Sequence, residues 1–301
     1  PESMTYTDRR DQPNVQAVLV NGRSIFLGLY DTQGYNPTQL TRYYAYVTAM
    51  NGFRQDYHNA DLRTGGLQSP LLDLLNVRYL LLDRSIPSDR EDVVQLTEGR
   101  KLVFQNERVS VYENPNAYPH AWIVHNLAPT TTDQALDLVA SGAIDLHRTA
   151  VIEGRPPSVA EPPAGALEHA IVTTYDANRI ELDVSLKADG LVVLSDVYSG
   201  GWNAYLDGKK IDVLPADYLF RGIPVTLGTH RLVLKYEPES LRAGLIVSLI
   251  ALVAMAVSFG MLLVPGKRRG FRGNSDETER SPAPERLQSR KRRWRFRTKQ
   301  P

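Results

Sequence analysis

Cysteine does not occur in the 301 residues. Its absence excludes disulfide frameworks, thiolate metal sites and cysteine nucleophiles. Histidine is scarce as well. His58, His120, His125, His147, His169 and His230 fall into no H-E-x-x-H spacing, and no EF-hand loop accompanies them, so no metal is expected. P-loop, G-x-G-x-x-G and G-x-S-x-G motifs are all missing. The sequence therefore nominates no catalytic residue and no cofactor. Its first residues, PESMTYTDRR, have no starting methionine, basic n-region or apolar h-region, and no secretory signal is expected there.

Net charge is also nearly absent, with 35 Lys and Arg against 34 Asp and Glu. That balance argues against a nucleic-acid partner. It hides an asymmetry, because thirteen basic and four acidic residues fall between Lys267 and Lys299. This basic tail, 265–301, reads as disordered by composition.

The longest hydrophobic run is present rather than lacking. Ala243 to Val264, AGLIVSLIALVAMAVSFGMLLV, carries no charge over twenty-two residues. At the helical rise it spans roughly 33 Å, enough for a hydrocarbon core of about 30 Å. KYEPES precedes it and GKRRGFRG follows, so the positive-inside rule puts the tail in the cytoplasm and residues 1–242 outside. Anionic membrane lipid is then the tail's nearest partner. A chain with its bulk outside, no signal and a C-terminal anchor is expected to be the end of a longer polytopic protein.

Ahead of the span the texture changes once. Over 1–152, strands are expected at QAVLVNG and SIFLGLYD, and a helix in NPTQLTRYYAYVTAMNG with Asn36 as N-cap, Pro37 at its first position and Gln39 closing a capping box. Leu40, Tyr43, Tyr44 and Val47 would be its buried stripe. A helix from Pro70 runs into a strand, a hairpin turns at Asn106-Glu107, and a second helix ends at Gly142. This interleaving suggests a mixed α/β subdomain. Residues 153–167, with four prolines and two glycines, read as a linker or an extended crossing segment. Over 168–242, short alternating strands with turn signals suggest a small antiparallel β-sandwich. The fold class is thus α+β, followed by one transmembrane helix at 243–264 and the tail.

Ligand candidates are aromatic and polar residues in loops or on strand faces. Tyr30, Asp31, Tyr35 and Asn36 surround a helix N-terminus, where main-chain N–H groups can hold an anion such as phosphate. In YSGGWNAYLDGKK, alternation puts Trp202, Ala204 and Leu206 on one face and Asn203 and Tyr205 on the other. Asp207-Gly208 is a type I′ hairpin pair. Trp202 is therefore expected to anchor the core, leaving Asn203 and Tyr205, with Tyr198 nearby, as ligand contacts.

Several strings taken together, GYNPTQLTRYYAY, LLDLLNVRYLLLD, VSVYENPNAYPHAWIV and the run from VVLSDVYSGGWNAYLDGKK to HRLVLKYEPES, resemble the C-terminal part of bacterial YfhO-like membrane proteins. The resemblance extends from about Gly28 to Val264. It implies a polytopic protein of glycosyltransferase-C architecture that moves a sugar from a polyprenyl-phosphate carrier to a cell-envelope acceptor. The catalytic acidic residue of that superfamily lies in an early extracytoplasmic loop, which this chain lacks, so no catalytic residue carries over. The expected work of the module is to help bind the envelope glycan or the polyprenyl-phosphate-linked sugar. The competing expectations are a membrane-anchored, non-catalytic carbohydrate-binding module and a structural domain that stabilises the membrane core.

Overall fold

A computed structural model of the chain describes residues 23–263. The strand expected at 16–22 and the basic tail at 265–301 lie outside them. The described residues form an α+β arrangement of mainly antiparallel sheets and one apolar C-terminal helix. They divide into two units, up to Leu245 and from Ile246.

SIFLGLYD, expected as a strand, instead begins in a helical turn, α1 (Arg23–Phe26). The N–H groups of Leu27 and Leu29 both return to the Ser24 carbonyl at 3.0 Å, which closes the chain on itself before it can extend. β1 (Gly34–Tyr35) pairs with β2 (Asn59–Ala60), and between them lies α2 (Thr41–Asn51). This helix starts four residues later than its capping signals indicate. Asn36 Oδ1 accepts from the Thr38 N–H at 2.9 Å and the Thr38 hydroxyl at 3.0 Å, so it caps a local Asx turn and not the helix. Leu40 stands at the N-cap with no side-chain bond. The buried stripe shifts accordingly to Tyr46, Val47 and Met50, while Leu40 is exposed. Gly52 ends the helix at φ 62°, as its position suggests.

α3 (Pro70–Leu74) is capped by Ser69, whose Oγ accepts the Leu71 N–H at 3.3 Å. β3 (Tyr79–Asp83), β4 (Lys101–Gln105) and β5 (Val109–Glu113) form a three-stranded sheet in the order β3-β5-β4. The β4–β5 turn is set by Asn106 Oδ1, which takes the N–H groups of Arg108 and Val109. Between β3 and β4 lies α4 (Glu91–Thr97), which the sequence reading did not foresee.

The remaining strands make two larger sheets. β6 (Ala121–Val124), β7 (Asn126–Thr130) and β8 (Thr149–Glu153), with α5 (Thr132–Ala140) between the last two, come before the proline-rich segment. β9 (His169–Asp176), β10 (Arg179–Leu186), β11 (Gly190–Leu194), β12 (Trp202–Leu206), β13 (Lys209–Ile211), β14 (Leu214–Ala216), β15 (Phe220–Val225) and β16 (Gly228–Tyr236) come after it. One sheet runs β13-β12-β16-β10-β9; the other runs β6-β11-β15-β14-β8-β7. The second takes strands from both sides of residues 153–167, so that segment is a crossing connection within one unit. KKIDVL splits at Asp212-Val213, with β13 staying beside β12 and β14 joining the other sheet.

The cores follow from this layout. Ile180, Leu182, Val184 and Leu186 are buried along one face of β10, as their alternation requires, and share a cluster with Val192, Leu194, Ile223 and Val225 from the other sheet. The opposite face of that second sheet contributes Leu191, Val193 and Phe220 to a larger cluster with Tyr46 and Leu71. β11 lies between β6 and β15 and is buried on both faces. β16 ends at Tyr236, and α6 (Glu239–Leu263) begins within three residues. Within it, Glu239–Gly260 has a mean hydropathy of 2.4.

Candidate functional site

β12, which follows the Ser195–Gly201 loop, and its partner β16 bring two of the polar and aromatic candidates, Asn203 and Tyr205, together. β12 pairs with β16 so that Trp202 lies opposite Tyr236, Asn203 opposite Lys235 and Tyr205 opposite Val233. Ala204 is fully buried, and Trp202 and Leu206 pack on the same cluster. Asn203 and Tyr205 therefore share the other face, as the alternation indicates.

On that face the two side chains converge on one carboxylate. Glu237 Oε2 accepts from the Tyr205 hydroxyl at 2.7 Å and from Asn203 Nδ2 at 3.1 Å. Lys235 Nζ lies 5.0 Å from the centre of the Tyr205 ring. The Tyr205 hydrogen bond holds the Glu237 carboxyl below its ordinary value, with Lys235 and Arg242 acting in the same direction, and the same bond lifts the Tyr205 phenol. The result is an ionised carboxylate, an amide, an ammonium and a phenol ring within one surface patch. Glu237 is the member that sequence reading missed. Its link to β12 depends on the β12–β16 register, although its place just before the apolar run was visible.

Behind β12 lies a second polar group. Asp196 Oδ1 accepts from the Tyr175 hydroxyl at 2.6 Å, and Oδ2 lies 3.2 Å from His120 Nε2. Burial pushes the Asp196 carboxyl up, but these two partners and the Arg221 charge outweigh it and keep it below its usual value. Arg221 is buried, donates Nε–H to the Val197 carbonyl at 3.1 Å and sits 4.0 Å above the Trp202 ring. Burial lowers its pKa, opposed by Asp196. Tyr30 packs its ring edge-on to Tyr175 at 4.9 Å. This group fixes the Ser195–Gly201 loop and, through Trp202, the start of β12.

Gly201 matters here because of space and backbone. Its φ is 96°, its carbonyl takes the Glu237 N–H at 2.6 Å, and a Cβ would lie 2.9 Å from the Tyr236 ring. The close approach brings Glu237 alongside β12.

The remaining candidates separate. Tyr198 lies 6.0 Å from the Arg42 guanidinium, which is itself bound to both oxygens of Glu153 at 2.5 and 2.7 Å and to the Tyr218 carbonyl at 2.6 Å. Asp31 Oδ1 accepts the Gln33 N–H at 2.9 Å. Tyr35 sits on β1 against His58 at 5.9 Å. Tyr30, Asp31, Tyr35 and Asn36 thus surround no helix N-terminus, because α2 begins at Thr41. His120 and His125 meet different carboxylates, His120 that of Asp196 and His125 that of Glu168, whose Oε2 lies 2.8 Å from Nε2. Among the described residues no group of histidine and acidic side chains could hold a metal ion.

Residues 165–248, from just before β9 into α6, match the sequence family described as bacterial membrane protein YfhO. No curated protein and no solved structure matches the chain.

Proposed function

Taking the chain as the YfhO-like bacterial membrane protein that this match supports, we propose that its β9–β16 region recognises a lipid-linked sugar at the membrane surface during cell-envelope glycosylation. One observation carries the reading. Asn203, Tyr205 and Glu237 form a joined amide, phenol and carboxylate patch, and Glu237 precedes the first residue of the apolar helix by two positions. A pyranose presents C–H faces to an aromatic ring and hydroxyls to carboxylate and amide groups, so Tyr205 offers the face and Glu237 with Asn203 the acceptor and donor. Lys235 and Arg242 supply positive charge for the phosphate that joins the sugar to its lipid. Tyr236, 45% exposed beside the Trp202 ring at 5.5 Å, suits the aromatic belt at a membrane–water boundary.

In this account α6 spans the bilayer, the tail lies in the cytoplasm, and residues before α6 are extracytoplasmic. The shared cluster between the two large sheets supports a β-sandwich as the scaffold. The chain's own part in glycosylation is binding.

Reconstitution of the chain in vesicles containing a polyprenyl-phosphate hexose tests the reading through the amount of labelled sugar lipid retained. Glu237→Gln is expected to lower retention about tenfold, the scale of losing one charge-assisted hydrogen bond of 1.5–3 kcal/mol. Equal retention by wild type and variant would remove the site from the account.

A further inference from the structure

Phe26, Leu27, Leu29 and Tyr30 take four of five consecutive positions where α1 ends, and they are 89, 63, 50 and 80% exposed. The backbone holds them there. The Ser24 carbonyl takes the N–H groups of both Leu27 and Leu29, Gly28 between them has φ 66°, and Ser24 itself is buried. The far side of the turn is tied as well. Asp31 Oδ1 accepts the Gln33 N–H at 2.9 Å, and the Tyr43 hydroxyl donates to the Thr32 carbonyl at 2.5 Å. A turn fixed at both ends and apolar between them marks a contact with an apolar phase.

The sheet shows which phase lies nearest. Tyr30 packs edge-on to Tyr175 on β9 at 4.9 Å. Tyr175 pairs with Ile180 on β10, and Ile180 with Leu234 on β16. The β9–β10 turn closes on the end of β16, where the Tyr236 N–H donates to the Asn178 carbonyl at 2.9 Å. Tyr30 therefore lies against the end of the sheet from which the chain leaves for α6, at a strand two places from β16, or about 10 Å across. α6 begins at Glu239, three residues beyond Tyr236, so the bilayer surface is met within a few residues of this same sheet end. An apolar turn at that end has lipid as its nearest apolar phase.

We propose that the Phe26–Tyr30 turn is a second membrane contact, a hook that inserts into the lipid interface beside the point where α6 enters the bilayer. Phe26, Leu27 and Leu29 meet the acyl boundary, and Tyr30 sits at headgroup level with its ring against Tyr175. A single helix leaves the sheets free to tilt about its first turn; a second contact at the same end removes that freedom and sets the height of β16 above the headgroups. The inference rests on α6 as a membrane span and not on the sugar-lipid reading.

The chain contains no cysteine, so introduced single cysteines report without background. Phe26→Cys, Leu227→Cys and Leu249→Cys are each spin-labelled in the full chain and reconstituted in phosphatidylethanolamine–phosphatidylglycerol vesicles. Collision with oxygen, which enriches among acyl chains, is compared with collision with a water-soluble nickel chelate. Leu227 is 59% exposed just before β16, at the opposite end of that strand from Tyr236, and is the aqueous reference; Leu249, within α6, is the lipid reference. The label at 26 is expected to favour oxygen, at a depth of about 5–10 Å into the headgroup–acyl boundary. Phe26→Asp combined with a label at Leu29→Cys should return that label towards water, with unchanged circular dichroism. Nickel accessibility at 26 equal to that at 227, protection from both reagents (the mark of a protein contact), or no response to Phe26→Asp would each overturn the proposal. The vesicles hold no sugar lipid, so the outcome is independent of the Glu237→Gln retention test.

Discussion

Asp217 is fully buried at the turn between β14 and β15, with φ 47°; its Oδ1 accepts the Val151 N–H at 2.7 Å and its Oδ2 has no partner. Burial pushes its carboxyl up to about 7. The folded protein then holds a proton that the unfolded chain releases near the ordinary value of 3.8, so this group's contribution to stability falls as pH rises from about 4 to about 7. Asp217→Asn is expected to flatten that dependence and to raise stability at pH 8 by a few kcal/mol, read from urea denaturation at pH 5 and pH 8. A variant with the wild-type pH profile would refute the assignment. Trp202 and Tyr205 make the other residue-scale contrast. Trp202→Ala should cost about 2–3 kcal/mol because it opens the space between Arg221 and the inter-sheet cluster, whereas Tyr205→Phe should leave the denaturation midpoint nearly unchanged and reduce sugar-lipid retention. Alternation in WNAYL was enough to tell these two apart. The Glu237 contact was not legible, because it needs a pairing across more than thirty residues of chain.

Elements are held together by a few polar joints. Arg42 on α2 binds both oxygens of Glu153 at the end of β8 and the Tyr218 carbonyl beyond β14. Glu153 is 7% exposed at its side chain, so Arg42→Ala leaves a carboxylate with the Thr132 hydroxyl, 2.8 Å away, as its remaining support. A loss of about 3 kcal/mol is expected, with little recovery in Arg42→Lys, since an ammonium cannot reproduce the two-pronged bond. The β12–β13 hairpin turns at Asp207 and Gly208 with φ 50° and 85°, the type I′ geometry their identities signal. Gly208→Ala meets no atom within 4 Å, so its cost is backbone strain alone, about 1–2 kcal/mol, measurable by thermal denaturation. Turns and alternating strands were readable because the chemistry that fixes them is local. The start of α2 was misread for a local reason too, because Asn36 spends its capping oxygen on Thr38. The split of KKIDVL between two sheets and the pairing of β6 and β8 with strands from beyond the proline-rich segment are tertiary outcomes that no window of sequence contains.

At the scale of the whole molecule, α6 is a candidate membrane span by length and composition, and the YfhO match reaches into it. An arginine near its middle should cost about 2.5–3.5 kcal/mol of insertion, so Ile250→Arg is expected to shift the chain from the membrane to the soluble fraction on carbonate extraction. The span was legible from composition alone; the patch ahead of it became visible only when β12 and β16 were paired. The most direct test of the account is photo-crosslinking of the reconstituted chain with a polyprenyl-phosphate hexose that carries a diazirine on the sugar, mapped by peptide mass spectrometry. Adducts on Asn203, Tyr205 or the Lys235–Arg242 segment, competed by unlabelled sugar lipid, are the predicted result. Adducts confined to other segments, or none above a diazirine lipid without sugar, would contradict it.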